Sequence, residues 1–333
     1  MTSETVNPIS HRRRLPSMSV LGPILALVIL IVIGALMNSN FLSSGNINNV
    51  LSRSAFIGII AVGMTFVITA GGLDLSVGSM AAFIAGLMIL VMNAALPTLG
   101  VGVPIILLGM LTALLAGVLA GMLNGFLITT LGIEAFIVTL GTMGIYRSLV
   151  TWLANGGTLS LDFELRGFYR PVYFDGVLGV AWPIIVFAVV VILGEILMSR
   201  ARFGRHCAAT GSNEHVAHYS NVNVNRTRML TYIMLGMLVG VATIMYVPRL
   251  GSASASTGVL WELEAIAAVI IGGTVLKGGF GRVWGTVIGV LILSLIDNIL
   301  NLTDLVSPYL NGAIQGVIIV LAVILQREAK AKG

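Results

Sequence analysis

Long apolar runs separated by short polar segments dominate the chain, and most runs are close to the length of a membrane-crossing helix. A helix needs roughly 20 mostly apolar residues to cross the hydrocarbon core of a bilayer. The eighth run is short, and the Gly272–Gly273 pair within it can break it. The pattern predicts about ten transmembrane helices, at residues 20–37, 54–70, 75–93, 103–130, 135–154, 180–198, 229–247, 263–276, 283–302 and 308–325.

Composition agrees with this pattern. Of the 333 residues, 57% are hydrophobic and only 9% are charged, whereas soluble proteins carry about 25% charged residues. The mean hydropathy is +1.02. So much apolar surface requires a bilayer as solvent, and the uninterrupted runs argue against a β-barrel. We therefore expect an all-α membrane protein.

Basic residues are unevenly distributed over the segments between the runs. With a cytoplasmic N-terminus, 13 of the 18 lysines and arginines lie on the cytoplasmic side, as the positive-inside rule requires. We therefore expect a multi-pass protein with both termini cytoplasmic: a tail at 1–19, a single transmembrane domain at 20–325 and a tail at 326–333. Two longer loops interrupt the domain, an outer loop at 155–179 and a cytoplasmic loop at 199–227.

The cytoplasmic loop contains GSNEHVAHYSNVNVNR, which has the signals of a short capped helix. Ser212 or Asn213 is a candidate N-cap, and Glu214 then falls in the first turn, where the helix dipole favours an anion. Asn221 follows about two turns later, and asparagine tolerates the left-handed conformation that ends many helices. A short capped helix between two membrane spans has no membrane role of its own, so we interpret it as a surface for a partner.

Two segments predicted on the same face share a glycine spacing. GGLDLSVGS (71–79) and GGFGRVWGT (278–286) both fit the pattern G-G-x-x-x-x-x-G-small. Such an echo is compatible with an internal repeat of the kind that membrane proteins often contain. Paired glycines also recur wherever tight re-entry or close helix packing requires them, and both interpretations stay open.

The motifs of common catalytic sites are absent from the sequence. GGTVLKGG (272–279) has its glycines and lysine at the wrong spacing for a phosphate-binding loop, and no H-E-x-x-H or G-x-S-x-G motif occurs. Cys207 is the only cysteine, which excludes an internal disulfide. We interpret the nearby His206, His215 and His218 as solvated rather than metal-bound. We predict no catalytic residue, metal site, cofactor or nucleic-acid partner for this chain.

Few polar groups interrupt the apolar runs, and each has a structural and a functional interpretation. Asp74, in ITAGGLDLSVGS, lies between two runs near the cytoplasmic face, where its carboxylate is expected to cap Val77 or Gly78. Arg147 lies within a run and is either a pathway or ion-pair residue or a side chain that snorkels outward. The polar face in LILSLIDNILNL serves helix association or substrate contact. The candidate pathway or gating residues are Asp74, Ser76, Arg147, Asp297 and Asn298.

Four ordered blocks of the chain resemble one family. AVGMTFVITAGGLDLSVGSM (61–80) is similar to the signature of the permease subunits of bacterial ABC sugar importers of the ribose, xylose and arabinose type. AFIVTLGTMGIYRSLVTWLANGG (135–157), FGRHCAATGSNEHVAHYSNVNVNR (203–226) and the region 249–302 also resemble this family. Together the similarity covers most of the chain from about residue 50 to residue 326. One glycine motif alone is weak, whereas four ordered blocks on a compatible topology are a strong signal.

The resemblance implies a ten-span permease of the vitamin-B12-permease-like, or type II, ABC importer architecture in a bacterial inner membrane. It implies four partners: a second permease copy (homodimer or closely related heterodimer), a cytoplasmic ABC ATPase that binds ATP and Mg, a periplasmic sugar-binding protein, and membrane lipid. Residues 212–224 then form a coupling helix, with Ser212, Asn213, Glu214, His215, Val216, Ala217 and Asn221 as the ATPase-coupling residues. Four outer arginines are candidates to steer docking of the binding protein: Arg53, Arg166, Arg170 and Arg249.

The sequence also departs from the family pattern. His215 and Val216 stand where the family usually has small residues, and Ser212 and Asn221 stand where glycine is common. Glu134 and Asp297 are less usual as well. These departures leave the fit to any particular ATPase open.

The leading hypothesis is a non-enzymatic transport subunit that moves a monosaccharide or related polyol from periplasm to cytoplasm by alternating access. We expect weak or no high-affinity sugar binding in the membrane, with selectivity residing mainly in the binding protein. An alternative is a proton-coupled secondary carrier with Asp74, Asp297 or Glu195 as relay. A third hypothesis is an intramembrane enzyme, which the sparse and scattered acids argue against. The sequence does not name the sugar.

Overall fold

The computed structural model describes residues 18–303, 310, 312–314, 316 and 317, with side chains from residue 22 onward. The first 17 residues of the predicted N-terminal tail, most of the predicted tenth span and the predicted C-terminal tail lie outside the described residues. The described helices are α1 (Met18–Met37), α2 (Ser44–Thr69), α3 (Val77–Leu99), α4 (Val103–Thr129), α5 (Ala135–Leu153), α6 (Phe163–Tyr169), α7 (Pro171–Phe174), α8 (Trp182–Ser199), α9 (Arg202–Ser212), α10 (Glu214–Tyr219), α11 (Val224–Leu250), α12 (Trp261–Ile271) and α13 (Val283–Thr303). The described strands are β1 (Thr158–Ser160), β2 (Gly176–Val177), β3 (Val180–Ala181) and β4 (Ser252–Ser254).

Within this described part of the chain, seven helices are long and apolar enough to cross a membrane: α2, α3, α4, α5, α8, α11 and α13. Each coincides with a predicted run, and α1 coincides with the first. The largest difference is at α2, which begins ten residues before the apolar run at 54–70. Its first turns are rich in asparagine and serine, and Ser43 caps the helix by accepting a hydrogen bond from the Asn46 backbone N–H (3.3 Å). Hydropathy does not detect such a polar helical extension.

The eighth predicted run, at 263–276, is not a full span by itself. Its helix, α12, has 11 residues, and at 1.5 Å per residue it is about 16 Å long, roughly half of the hydrocarbon core. The helix stops at Gly272, and Gly273 has a positive φ of 89°. The glycine pair therefore ends the helix, as its sequence indicated.

Helix α2 forms the centre of the bundle, because nearly every residue from Ser54 to Thr69 is buried. A second tight contact joins α4 and α11, where Gly117 of α4 lies directly against Gly236 of α11 and Ala113 lies against Gly240. Bilayer lipid is as apolar as leucine, so membrane helices associate through close van der Waals packing that small residues permit. The abundance of glycine in this chain therefore has a packing role at this helix pair.

Three non-helical segments position the candidate site: the α2–α3 connector (70–76), the α11–α12 segment (251–260) and the α12–α13 connector (272–282). The α11–α12 segment contains β4, which pairs antiparallel with β1 from the predicted outer loop. Helix α6 in that loop is anchored to α11, since the Tyr169 hydroxyl donates to the Ile244 carbonyl (2.8 Å). Helix α8 separates α6 and α7 from α9 and α10, so we name the two ends of the bundle the α6 end and the α10 end.

The α4–α11 contact gives a stability prediction. A valine at position 236 would overlap the Gly117 carbonyl and the Gly121 backbone, so Gly236→Val should destabilise the protein by about 1–3 kcal/mol through overpacking. The melting temperature in detergent measures this effect. Gly144→Val on α5 is the matched control, because Gly144 is helical, exposed and has open space around it. Equal melting temperatures for the two variants would contradict the assigned helix contact.

Candidate functional site

Helix α10 is a capped, isolated helix at the α10 end. The Asn213 side chain accepts a hydrogen bond from the Val216 backbone N–H (3.1 Å), so Asn213 rather than Ser212 is the N-cap. Ser212 is the last residue of α9. Asn221 has a positive φ of 60°, and the following N–H, of Val222, donates to the Ala217 carbonyl (3.0 Å). The short helix and its left-handed end are thus present as the sequence predicted.

The side chains of α10 point away from the bundle almost without exception. Ala217 is buried, whereas Val216 is 59% exposed and Tyr219 is 89% exposed. An apolar and an aromatic side chain left this open on a polar loop form a surface suited to a partner. Glu214 in the first turn pairs with Arg228 at the start of α11 (2.8 Å), which ties α10 to a membrane helix.

Cys207 is part of the structural base beneath this surface. The thiol is buried in α9, and burial raises its pKa to about 12. A buried, protonated thiol is unreactive, so Cys207 acts as a packing residue of α9.

Gly211, next to the C-terminus of α9, lies where the two glycine-paired connectors meet. Any side chain there would overlap the Thr69 carbonyl at the end of α2 and the backbone N–H of Gly279. That N–H donates to the same Thr69 carbonyl (2.9 Å). Gly71 and Gly278 both have positive φ, of 80° and 86°, and both lie beside Gly211. The paired glycines of the sequence echo therefore have a local reason, which is tight turning and close approach.

The α2–α3 connector is held by a buried polar network. The Oδ1 of Asp74 accepts hydrogen bonds from the backbone N–H and the hydroxyl of Ser76 (2.7 and 2.6 Å), while its Oδ2 accepts from the Asn124 side-chain amide (3.1 Å). That amide also donates to the Ser76 hydroxyl (2.9 Å). The three side chains are at most 1% exposed.

This geometry corrects the predicted role of Asp74. The carboxylate does not cap Val77 or Gly78; it bonds two residues on, to Ser76, in the local turn that short acidic side chains favour. It is also buried rather than placed at an open face. Burial raises the pKa of the Asp74 carboxyl, and the bonds from Ser76 and Asn124 oppose that shift. The residue fixes the connector to α4 through Asn124, which the sequence analysis missed although it is the one asparagine within an otherwise apolar run.

Arg147 holds non-helical backbone. Its guanidinium donates to the Ala255 and Thr257 carbonyls (2.7 and 2.5 Å) in the α11–α12 segment. In the same region Gly258 lies directly against Gly78 at the start of α3, and the side chain of Glu262 is close to Gly78. Arg147 is therefore not a snorkelling side chain, and besides these two carbonyls it interacts electrostatically with Glu262. It fastens an irregular segment between α3 and α5.

Asp297 and Asn298 lie at the α6 end, away from Asp74. The Asn298 amide exchanges two hydrogen bonds with Asn46 of α2 (2.8 and 3.0 Å), so its role is helix association. Asp297 lines a cavity between α2, α11, α12 and α13. Glu195, the third relay candidate, accepts from the Trp284 backbone N–H (3.3 Å) at the start of α13. The candidate pathway and relay residues thus make separate contacts and do not form one connected group.

The four outer arginines all lie towards the α6 end, but they differ in exposure and in the contacts of their side chains. Arg53 and Arg170 are exposed, and Arg170 stacks over Phe174 (4.7 Å to the ring centroid). Arg166 donates to the Gly251 carbonyl (3.2 Å). Arg249 is half-buried, with its guanidinium 5.9 Å from the centroids of two buried aromatic rings. Arg249 is therefore the arginine least available to a docking protein.

The Asp74 network gives a second stability prediction. Asp74→Ala would leave the Ser76 N–H, the Ser76 hydroxyl and the Asn124 amide without their buried acceptor, and each such loss costs about 1–3 kcal/mol. Asp74→Asn keeps the acceptor for Ser76 and should be destabilised less. Thermal unfolding in detergent, with the exposed Asp175→Ala as control, gives the order of stability. An alanine variant as stable as the wild type would contradict the stabilising role of this network in the connector.

Comparison with known proteins identifies the family. The family model described as "Branched-chain amino acid transport system / permease component" matches residues 46–323. The ribose import permease protein of Bacillus subtilis (strain 168) is 39% identical over 318 residues, which cover 94% of each chain. The D-allose transport system permease protein of Escherichia coli (strain K12) is 33% identical over 301 residues, covering 90% of this chain and 89% of the relative. The resemblance carried by the four sequence blocks is thus confirmed, and the chain belongs to this family of transport-system permease components.

Proposed function

We propose that the chain is the permease subunit of an ATP-driven importer that moves a monosaccharide or related polyol from periplasm to cytoplasm. The observation that carries this proposal is α10, a capped and outward-facing helix held between membrane helices. Its support is the similarity, over more than nine-tenths of the chain, to permeases named for ribose. Relatives named for D-allose, fructose and xylose are 33%, 30% and 31% identical, so the proposal extends to the monosaccharide class and to no single sugar.

The coupling step would occur at α10. Val216 and Tyr219 offer exposed apolar and aromatic contacts, with Glu214, His215 and His218 beside them, to a groove on a cytoplasmic ABC ATPase. Ala217 is buried and fixes the helix to the permease. ATP and Mg would bind only to that ATPase, and this chain would contribute no catalytic residue.

Movement of α10 has a structural route into the membrane. Gly211 lies three residues before Glu214, the first residue of the helix, and packs on Thr69 and Gly279 without an intervening side chain. A displacement of α9 and α10 would therefore act directly on the ends of α2 and of the α12–α13 connector. ATP-bound and nucleotide-free ATPases would favour different permease conformations because they bind them with different affinities.

The wider assembly follows from the same proposal. The α10 end carries the basic residues of α9 and the start of α11, so we place it in the cytoplasm by the positive-inside rule. Both termini would be cytoplasmic in a bacterial inner membrane, and about ten helices in a type II arrangement would pair with a second permease copy. A periplasmic sugar-binding protein would dock at the α6 end, steered by Arg53, Arg166 and Arg170.

Reconstitution tests this function against the proton-coupled alternative. No described contact joins Asp74, Glu195 and Asp297 into the relay that this alternative requires. The permease is placed in vesicles with the ATPase and the binding protein encoded with it. We expect accumulation of a monosaccharide that requires ATP and persists when an uncoupler collapses the proton gradient. Accumulation by the permease alone, on an ion gradient, would overturn the proposal.

A charge reversal tests the coupling assignment. Glu214→Arg should lower ATP-driven uptake at least about tenfold, since it reverses the charge of an exposed residue on the proposed contact surface and places two arginines side by side with Arg228. Stability should change little, because the partly exposed pair with Arg228 is worth ~0–1 kcal/mol. Glu134→Arg, an exposed reversal at the same end of the bundle, is the matched control. Wild-type uptake by the Glu214 variant would remove α10 from the coupling role.

A further inference from the structure

A polar cavity of about 430 Å³ lies at the α6 end between α2, α11, α12 and α13. Its volume falls within the range of about 300–1,000 Å³ that small-molecule sites occupy. The sequence analysis did not predict that Arg53, Asp297 and Asn298 share a cavity, but all three line this one. Its chemistry differs from that of the apolar surface around it.

One wall of the cavity is aromatic. Phe56 and Trp261 line it with nearly parallel rings, at 11° and 6.4 Å between centroids. Tyr246 packs edge-on against Trp261 (5.1 Å) and Tyr173 stacks on Phe56 (5.7 Å). Phe56 is only 3% exposed, whereas Trp261 is partly exposed, and both line the cavity. The neighbouring rings hold Trp261 in a fixed orientation.

The lining of the same cavity also includes amides and charged groups. Asn49 of α2 and Asn301 of α13 line the cavity, are exposed, and make no side-chain hydrogen bond to another residue in the described part of the chain. Arg53 and Arg249 add positive charge to the lining, and Asp297 and Glu264 add negative charge. Amides, a carboxylate and a guanidinium can each donate to or accept from a hydroxyl group. An aromatic ring and such hydrogen-bonding groups in one cavity are complementary to a polyhydroxylated ring with one apolar face.

We infer that this cavity is a low-affinity transit site for one monosaccharide, whose ring lies on Trp261 and whose hydroxyls bond to Asn49 and Asn301. The inference rests on the proposed function and places a substrate site on this chain. It agrees with selectivity residing mainly in a binding protein, because two amides and one ring face suit many sugars. A branched-chain amino acid is the competing ligand, and its aliphatic side chain would use Trp261 without needing both amides.

The test uses neighbouring asparagines. Asn49→Ala with Asn301→Ala removes both amides. Asn48→Ala is the matched control, because Asn48 bonds to the Gly179 carbonyl (3.3 Å) and lines a neighbouring pocket that Asn49 also borders, but not this cavity. Uptake is measured with the complete transporter in vesicles. We expect the double variant to lose about tenfold in maximal rate, as two lost hydrogen bonds would produce. The half-saturating sugar concentration, set by the binding protein, should stay the same in all three proteins.

A second measurement detects the ligand directly. Saturation-transfer NMR on the purified permease in nanodiscs, with millimolar ribose and then millimolar leucine, reports which molecule touches the protein. Ribose should give a signal in the wild type and the Asn48 control that the double variant loses. Equal ribose signals in all three proteins, or a leucine signal that depends on both amides, would overturn the inference.

The outcomes also separate the two proposals. A wild-type transporter that imports no sugar with ATP would defeat the proposed function itself. A wild type that imports sugar, alongside a double variant with the same maximal rate as the Asn48 control, would defeat only the transit site. Each variant is compared at equal amounts of monodisperse protein, so a folding defect is recognised before transport is measured.

Discussion

Non-helical backbone within a bundle of membrane helices must find its hydrogen bonds inside the protein, because hydrocarbon offers none. The α11–α12 segment meets this constraint through β4 pairing with β1 and through the guanidinium of Arg147, which binds two of its carbonyls. The α2–α3 connector meets it through Asp74 and Ser76. These contacts fix where α3 and α12 begin, and so they determine the shape of the regions between the long helices.

The same constraint explains why few polar residues suffice in so apolar a chain. Asp74, Asn124 and Arg147 each bind backbone or a neighbouring polar group rather than standing alone in an apolar environment. A charged residue in an apolar part of this chain is therefore not by itself evidence of a functional site. Two of the candidate pathway residues, Asp74 and Arg147, hold irregular backbone in place, and their effect on transport would pass through that backbone.

Hydrophobic runs predicted the positions of the long helices well, because the length of an apolar run directly reflects the thickness of the bilayer. The capped helix α10 was also predictable, since Asn213, Glu214 and Asn221 are local signals. The short length of α12 was indicated by its Gly272–Gly273 pair, whereas the polar start of α2 was not predicted, because hydropathy does not detect a polar helical extension. The partners of Asp74 and Arg147 were also not predictable from local sequence, because Asn124 and Thr257 are separated from them by 50 and 110 residues.

The two functional regions are connected by the same elements. Helix α2 contributes Asn49 and Phe56 to the cavity at the α6 end, and its last residue, Thr69, accepts the hydrogen bond from Gly279 beside Gly211. Helix α12 begins with Trp261 at the cavity and leads into the connector that contains Gly279. Since both helices are tightly packed, a shift imposed at Gly211 would be transmitted along them and not absorbed locally. In the proposed transporter, a change at α10 would therefore alter the separation of Asn49 and Trp261 and would link the fit of a sugar to the state of the ATPase.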